Sequence, residues 1–380
     1  MKTAYYCQHV LGVGHFHRSL EICRACAADS DVTMVVGGPP IDMSSEPFSF
    51  YQLPGLKMDE QFSTLMPCDP HASLTDIQEI RSRELVSFFQ RFAPDALVVE
   101  LFPFGRKAFR FELLPLLEAA RQSRCRVICS LRDILVEKKQ EQLKHERNAV
   151  KTLNRYFDML LVHSDPRLAT LDETFSLFEQ ITVPIHYTGF VTPLPARDSR
   201  HALRESLSIR PQEKLIVASI GSGSVGSELL QAVHETAHTM VEESPYHFNF
   251  FAGPYCDEAV FESLSATTHE RIHIHRFTDT FVDWLAAADL SISMAGYNTS
   301  MNVLAAGVPA LMMPFDQNRE QRMRLTKLTD GHPMAILEKE DLQPQPLAKA
   351  IRRQLAEPRY RTSLMLDGAA RTARFLQSQT

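Results

Sequence analysis

The sequence predicts an α/β protein made of two Rossmann-like, doubly wound parallel-sheet domains. Three observations carry this. Short apolar runs of strand length alternate with amphipathic helical stretches along most of the chain, which is the grammar of βαβ units. That grammar starts twice, each time as strand, glycine-bearing loop and helix, first over residues 3–28 and again over 215–243. Between the two starts lies a stretch over 191–200 with Pro193 and Pro195, which reads as an interdomain linker. The expected division is residues 1–192, residues 193–356, and a terminal helical segment, 357–380, long enough to cross back to the first domain.

Composition narrows the class. The chain has 380 residues, 44% of them apolar and 23% charged, the profile of a globular protein. A net charge of −6 gives no global basic field, so nucleic acid is not an expected partner. The seven cysteines are scattered and odd in number. Residues 1–12 are too short and polar for a secretory leader, so a reduced, cytoplasmic chain is the expectation. Cys23-x-x-Cys26 falls in a helical pattern with no second pair at zinc spacing and reads as structural. No apolar run is long enough to span a bilayer.

The first strand is expected over 3–10, the loop over 11–18, a helix over 19–28 and a second strand over 32–36. Gly12-x-Gly14 lacks the third glycine of a dinucleotide fingerprint, and no acid follows the second strand, so NAD binding is discounted. His15 and His17 stand at the carboxyl end of the first strand, the edge where open α/β sheets bind ligands. An imidazole there can take a proton from a hydroxyl, or it can simply hydrogen-bond the backbone. Residues 51–66 read as irregular and 76–92 as a helix. The apolar strand 96–100 delivers Glu100 to the same edge. A carboxylate so placed is costly unless paired or used, and Arg106, Lys107 or Arg110 are the nearby candidates to pair with it. Arg106, Lys107, Arg110, Arg121, Arg124 and Arg126 make the next segment, with its helix over 111–121, locally basic. It suits peripheral contact with the anionic inner face of a membrane, or is a solvated helix face. Strands over 126–130, 159–162 and 185–189 and a charged helix over 137–157 complete this half.

In the second half, the strand 215–220 runs into Gly221-Ser222-Gly223-Ser224-Val225-Gly226-Ser227, then a helix over 228–243. Small residues let backbone amides approach an anion. No Lys-Ser/Thr pair ends the run, so it departs from an ATPase loop. Strands follow over 248–252 and 272–276; His273 and His275 share one face of the latter with no evident carboxylate partner, which argues against a metal there. A helix over 283–288 leads to the most informative stretch, 289–324. It reads as strand 290–293, a tight turn at Gly296, Asn298, Thr299 and Ser300 as N-cap chemistry for a helix over 300–306, Gly307 as its stop, and strand 310–313. Free N–H groups and hydroxyls at a helix start suit a phosphate, although an ordinary βαβ unit has the same form. The tail, 345–377, reads as helical with a break at Pro358.

Three segments in this order, GVGHFHR, SIGSGS and AGYNTSMNVLAAGVPALMMPF followed by NREQ, resemble the GT-B glycosyltransferases. The chain is most similar to the branch containing the peptidoglycan N-acetylglucosaminyltransferase that makes lipid II. ELFPFGRKAFRFELLPLLEAAR resembles a related group of predicted bacterial glycosyltransferases. The resemblance implies two Rossmann-like domains facing a cleft, with the acceptor mainly on the first and a nucleotide-sugar on the second. Carried over by position, Gly221, Ser222 and Gly223 face the diphosphate, and Gly296, Asn298 and Thr299 form the other phosphate wall. Phe277 lies beside the base, and Glu320 and Gln321 contact the donor sugar. His15 matches the histidine of the first glycine loop, with Gly14, His17 and Arg106 on the acceptor side. Where the family often has a glutamate for the ribose hydroxyls, this chain has Asn302. An amide still hydrogen-bonds a diol but without the strength of a carboxylate, which opens the nucleotide beyond the usual uridine diphosphate.

The expected chemistry is transfer of a glycosyl group from a nucleoside-diphosphate-sugar to a hydroxyl of a lipid, glycan or small-molecule acceptor. His15 is the preferred base and Glu100 its rival, and the diphosphate leaves onto helix N-termini. No Asp-x-Asp pair sits at a suitable strand end, so neither a metal nor a cofactor is expected beyond the nucleotide-sugar itself. Inversion at the anomeric carbon is implied by the resemblance alone. A nucleotide-sugar 2-epimerase of the same fold, and a non-catalytic nucleotide- or glycan-binding protein, are the alternatives.

Overall fold

A computed structural model describes residues 1–8, 14–39, 45–58, 64–135, 141–267 and 269–378. The chain divides into two units, Met1–Val191 with Leu364–Thr380, and Thr192–Ser363.

The first unit opens with β1 (Lys2–Tyr6), α1 (Gly14–Ala27), β2 (Asp31–Val36), β3 (Ser49–Gln52) and the short pair β4 (Leu56–Met58) and β5 (Leu65–Pro67). Then come α2 (Leu74–Phe92), β6 (Ala96–Glu100), α3 (Arg110–Arg121), β7 (Arg126–Arg132), α4 (Gln142–Tyr156), β8 (Met159–His163) and β9 (Ile185–Tyr187). Its sheet has the order β3-β2-β1-β6-β7-β8-β9, parallel throughout. Helices cover both faces, so the central strands are buried on both sides and read as continuous apolar runs, as ALVVE does in β6.

Several expectations need correcting here. The first helix starts by Gly14, not residue 19, because nothing in His15–Arg18 breaks a helix and two of these side chains find a buried partner described below. The first strand ends at Tyr6, and residues 9–13 of the expected strand and loop, including Gly12, lie outside the described residues, as do positions 137–140 of the expected charged helix. Residues 51–66 are not wholly irregular: β3 extends the sheet edge and β4–β5 form an antiparallel pair. Three- and four-residue strands are too short to show periodicity. Arg81 of α2 is fully buried, with Nε and Nη2 donating to the two oxygens of Glu112 at 2.7 Å and Nη1 donating to the carbonyls of Gly37 and Pro54. This pair pins α2 and α3 to the chain leaving β2.

The second unit runs α5 (Ser199–Ser206), β10 (Lys214–Ser219), α6 (Ser227–Glu243), β11 (Tyr246–Phe251), α7 (Glu258–Ala266), β12 (Ile272–His275), α8 (Phe281–Ala287) and β13 (Leu290–Met294). It continues through α9 (Tyr297–Ala306), β14 (Ala310–Met313), α10 (Arg319–Thr329), β15 (Met334–Ile336) and α11 (Pro344–Leu355). The sheet order is β12-β11-β10-β13-β14-β15, again all parallel. The order reverses direction between β10 and β13, the topological switch point where such sheets bind ligands. The expected linker ends in α5, whose Arg200 and Arg204 donate to Asp289 and to the last carbonyls of α8. The helix α7 also escaped the sequence reading.

The chain re-enters the first unit at Leu364. Met365 donates its N–H to buried Asp165 (2.9 Å), and its carbonyl accepts from Phe190 (2.8 Å). The last helix, α12 (Gly368–Ser378), packs on α1, with Ala373 and Leu376 joining the core that includes Cys23 and Cys26. Both cysteines are buried, and burial pushes their thiols up, so they serve as core residues.

Candidate active site

In the first unit the carboxyl edge of the sheet gathers charge. Glu100, the last residue of β6, is 1% exposed. His15, in the first turn of α1, places Nδ1 2.6 Å from Glu100 Oε1. Arg18, one turn further, donates from Nη2 to the same oxygen at 2.6 Å, and Arg106 Nη2 stands 3.5 Å from Oε2. Burial pushes the Glu100 carboxyl up, but the pull of His15, Arg106 and Arg18 outweighs it and holds the group well below the usual carboxylate range. A carboxylate oxygen and a ring nitrogen at 2.6 Å need a proton between them. With Glu100 ionised, that proton sits on Nδ1, which donates to Oε1. Nε2 therefore carries the lone pair, and it has no hydrogen-bond partner among the described residues. Burial lowers the imidazole to about 4, against the upward pull of Glu100, so His15 is neutral at pH 7 with a fifth of its side chain exposed.

The sequence left the base open between His15 and Glu100. In the structure Glu100 accepts from Nδ1 and holds the ring, and Nε2 is the ring nitrogen left without a hydrogen-bond partner among the described residues. Arg18 was missed because it lies 82 residues from Glu100 in sequence. Of the partners expected for Glu100, Arg106 closes on it, in a left-handed backbone conformation at φ 57°. Gly14 opens α1 and is exposed; His17 is exposed, its ring 6.0 Å from that of Phe16.

Beneath this pair runs a buried chain of hydroxyls. Ser19 Oγ donates to the His15 carbonyl at 2.9 Å and lies 3.4 Å from Tyr5 Oη. Tyr5 Oη lies 3.0 Å from Ser130 Oγ, which lies 2.8 Å from His163 Nε2, and His163 Nδ1 lies 2.7 Å from Thr188 Oγ1. Burial lowers His163 to about 3, so it too is neutral. The chain ties the start of α1 across β1, β7 and β8. Nothing in the sequence pattern marked it.

In the second unit the loops after β10 and β13 converge. Gly221 and Gly223 have φ of 67° and 93°, which favours glycine at both. A Cβ on Gly223 would lie 2.5 Å from the Cys256 amide nitrogen, so this loop is packed against the turn after β11. A Cβ on Gly221 or Gly296 would meet only Thr299 Oγ1, at 3.9 and 4.0 Å, so both glycines border open space beside one hydroxyl. Ser222 Oγ is 3.5 Å from Ser224 Oγ, and its carbonyl accepts from the Tyr255 N–H at 2.9 Å. The helix α9 starts at Tyr297 with Gly296 as N-cap, three residues earlier than expected. Asn298 and Thr299 are therefore first-turn residues, not caps; glycine fills the cap because the turn needs no side chain there. Their N–H groups are among the four that lack an intrahelical acceptor. The Thr299 hydroxyl makes no hydrogen bond among the described residues.

The remaining candidates are distributed around these loops. Phe277 follows β12 and is 53% exposed. Asn302, on α9, accepts through Oδ1 from the Thr192 hydroxyl at 2.8 Å. Glu320 is buried in the first turn of α10, and Gln321 accepts the Phe315 N–H through Oε1 at 3.0 Å. No three His, Cys, Asp or Glu side chains among the described residues are arranged to hold a metal ion.

Two parallel-sheet units with this pair of loops define a GT-B protein. Residues 217–375 match the glycosyltransferase family 28 C-terminal domain. MurG of Acinetobacter baumannii superposes with a TM-score of 0.60 over 100% of both chains at 16% identity. The UDP-GlcNAc 2-epimerase of Methanocaldococcus jannaschii superposes with 0.63 over 100% of this chain and 99% of that one at 12% identity. At these identities the superpositions speak for the fold. In sequence, the chain is similar to the UDP-N-acetylglucosamine–N-acetylmuramyl-(pentapeptide) pyrophosphoryl-undecaprenol N-acetylglucosamine transferase of Halalkalibacterium halodurans. That match is 26% identical over 204 residues, 52% of this chain and 53% of the relative, so about half the relative's length is spanned. The chain has the GT-B fold and resembles this MurG branch.

Proposed function

We propose that the protein is a nucleotide-sugar-dependent glycosyltransferase. The observation that carries this reading is the His15–Glu100 pair, an imidazole oriented through Nδ1 at a sheet's ligand-binding edge, with Nε2 unengaged among the described residues. In this reading His15 Nε2 takes the proton of an acceptor hydroxyl as its oxygen attacks the anomeric carbon. The bond from that carbon to the diphosphate breaks, and the leaving oxygen's charge is taken up by the N–H groups of α9 and the 221–223 loop. Attack opposite the leaving group gives inversion. Those amides supply the stabilisation that a divalent cation would otherwise give, so the reaction is proposed to be metal-independent and to need no cofactor.

The donor lies on Gly221, Ser222, Gly223, Gly296, Asn298 and Thr299, with the base beside Phe277 and the sugar toward Glu320 and Gln321. Asn302 serves the ribose in place of a carboxylate, and its tie to Thr192 leaves it a weaker acceptor for a diol than an ionised glutamate. The acceptor is a lipid, glycan or small molecule bearing a hydroxyl, and its side of the site takes in Gly14, His17 and Arg106. Among the described residues no helix is long and apolar enough to cross a membrane. A cytoplasmic place, with peripheral contact at the inner membrane face through the basic 106–126 segment, is part of the same proposal.

The test is release of nucleoside diphosphate from a panel of nucleotide-sugars, with and without acceptors. Acceptor-dependent release that is lost in His15→Ala supports the reading. Conversion of a donor sugar without any acceptor would replace it with the epimerase reading.

A further inference from the structure

The helix that leaves the glycine loop carries two histidines one turn apart. His234 and His238 occupy i and i+4 of α6 and so share one side of it. Their Nε2 atoms are 3.3 Å apart, with ring planes at 83°. A tetrahedral cation with metal–nitrogen bonds of about 2.0–2.1 Å holds neighbouring nitrogens about 3.3–3.4 Å apart, so the two rings already span one edge of such a shell. His234 is buried, edge-on to Phe250 at 5.6 Å, a packing that holds its ring plane. His238 is half-buried and offers the open side of the pair. Glu242 lies four residues further on the same side of the helix, now 3.6 Å from His269 Nε2.

We propose that His234 and His238 form a binding site for a late first-row divalent cation of the zinc, nickel or copper class. Imidazole nitrogen suits these ions and not magnesium or calcium. The protein supplies two nitrogen ligands; water, and Glu242 where it swings over, complete the shell. The site is separate from the sugar-transfer chemistry and does not rest on that reading. His234 lies eight residues after Gly226, the N-cap of α6, or roughly 12 Å along the helix. A bound cation would staple the third and fourth turns of the helix that anchors the glycine loop, and would stabilise the folded chain by mass action.

The experiment is titration of the metal-stripped full-length protein with zinc, followed by calorimetry and thermal unfolding, and with cobalt, followed by visible absorption. The expected result is one ion per chain and a raised unfolding midpoint. His238→Ala, at a half-buried position, should keep the fold and weaken binding more than about tenfold, since even partners outside the ligand shell are worth about 10- to 100-fold. His273→Ala, on β12, should leave binding unchanged. No saturable uptake by the unmodified protein, or equal uptake by His238→Ala, overturns the proposal. If His238→Ala proves unfolded by circular dichroism, His238→Gln answers the same question, and undiminished binding there overturns it equally.

Discussion

His15 makes two demands that can be measured apart. Replacing it with Ala removes the proposed general base, and a general base is worth about 10²–10⁴ in rate, so kcat should fall by that factor while donor affinity stays within a few-fold. Its protonation sets the acid side of the pH profile. The folded value of about 4 lies below the ordinary 6.5, so the base is competent above about pH 4. The kcat/KM profile should therefore rise through about pH 4 and be level from 5.5 to 7; a midpoint near 6.5 would contradict the assigned environment. Thr299 makes a contrasting case. Its hydroxyl makes no hydrogen bond among the described residues, so Thr299→Val should leave the thermal midpoint nearly unchanged. Donor affinity should drop by about tenfold, the worth of one hydrogen bond to a charged group. A fall in stability with unchanged affinity would place the hydroxyl in the fold and not in the site.

At the scale of elements, the glycine loop separates packing from function. Gly223→Ala puts a Cβ against backbone in a left-handed residue and should destabilise by about 1–3 kcal/mol. Gly221→Ala meets open space and carries only the backbone cost of about 1 kcal/mol, so its main effect should be on ligand binding. Urea unfolding of the two variants beside nucleotide titration checks this; equal stability loss in both would refute the packing argument. The long strands and helices were legible because apolar runs such as LIVAS and ALVVE have no other use. So were Gly307 as the stop of α9 and Glu100 as a carboxylate delivered to an edge. The first turns of α1 and α9 were not: loop-like Gly and Asn residues hid helices held in place by tertiary contacts. Arg18, Arg81 and the His163 chain were illegible for a different reason. Each is a polar residue whose buried partner lies far off in sequence, and no local pattern announces such a pair.

At the scale of the whole molecule, buried neutral histidines tie stability to pH. His15 and His163 have folded values below the unfolded 6.5, and burial likewise lowers His234, His238, His247 and His275. Below pH 6.5 the unfolded chain binds more protons than the folded one, so stability falls as pH drops and recovers as it rises. Urea midpoints should be lower at pH 5 than at pH 7.5, with a smaller difference in His163→Gln; a flat profile would contradict the burial assigned to these rings.

The central claim is that the second unit holds a nucleotide-sugar donor on Gly221, Gly296 and Thr299. The most direct measurement is calorimetric titration of the full-length protein with uridine, thymidine, guanosine and adenosine diphosphates, with and without magnesium. The account predicts that one of them saturates at one per chain, with magnesium dispensable and the affinity reduced in Thr299→Val. Absence of binding by every nucleoside diphosphate at millimolar concentration would contradict it, and with it both the transferase and the epimerase readings.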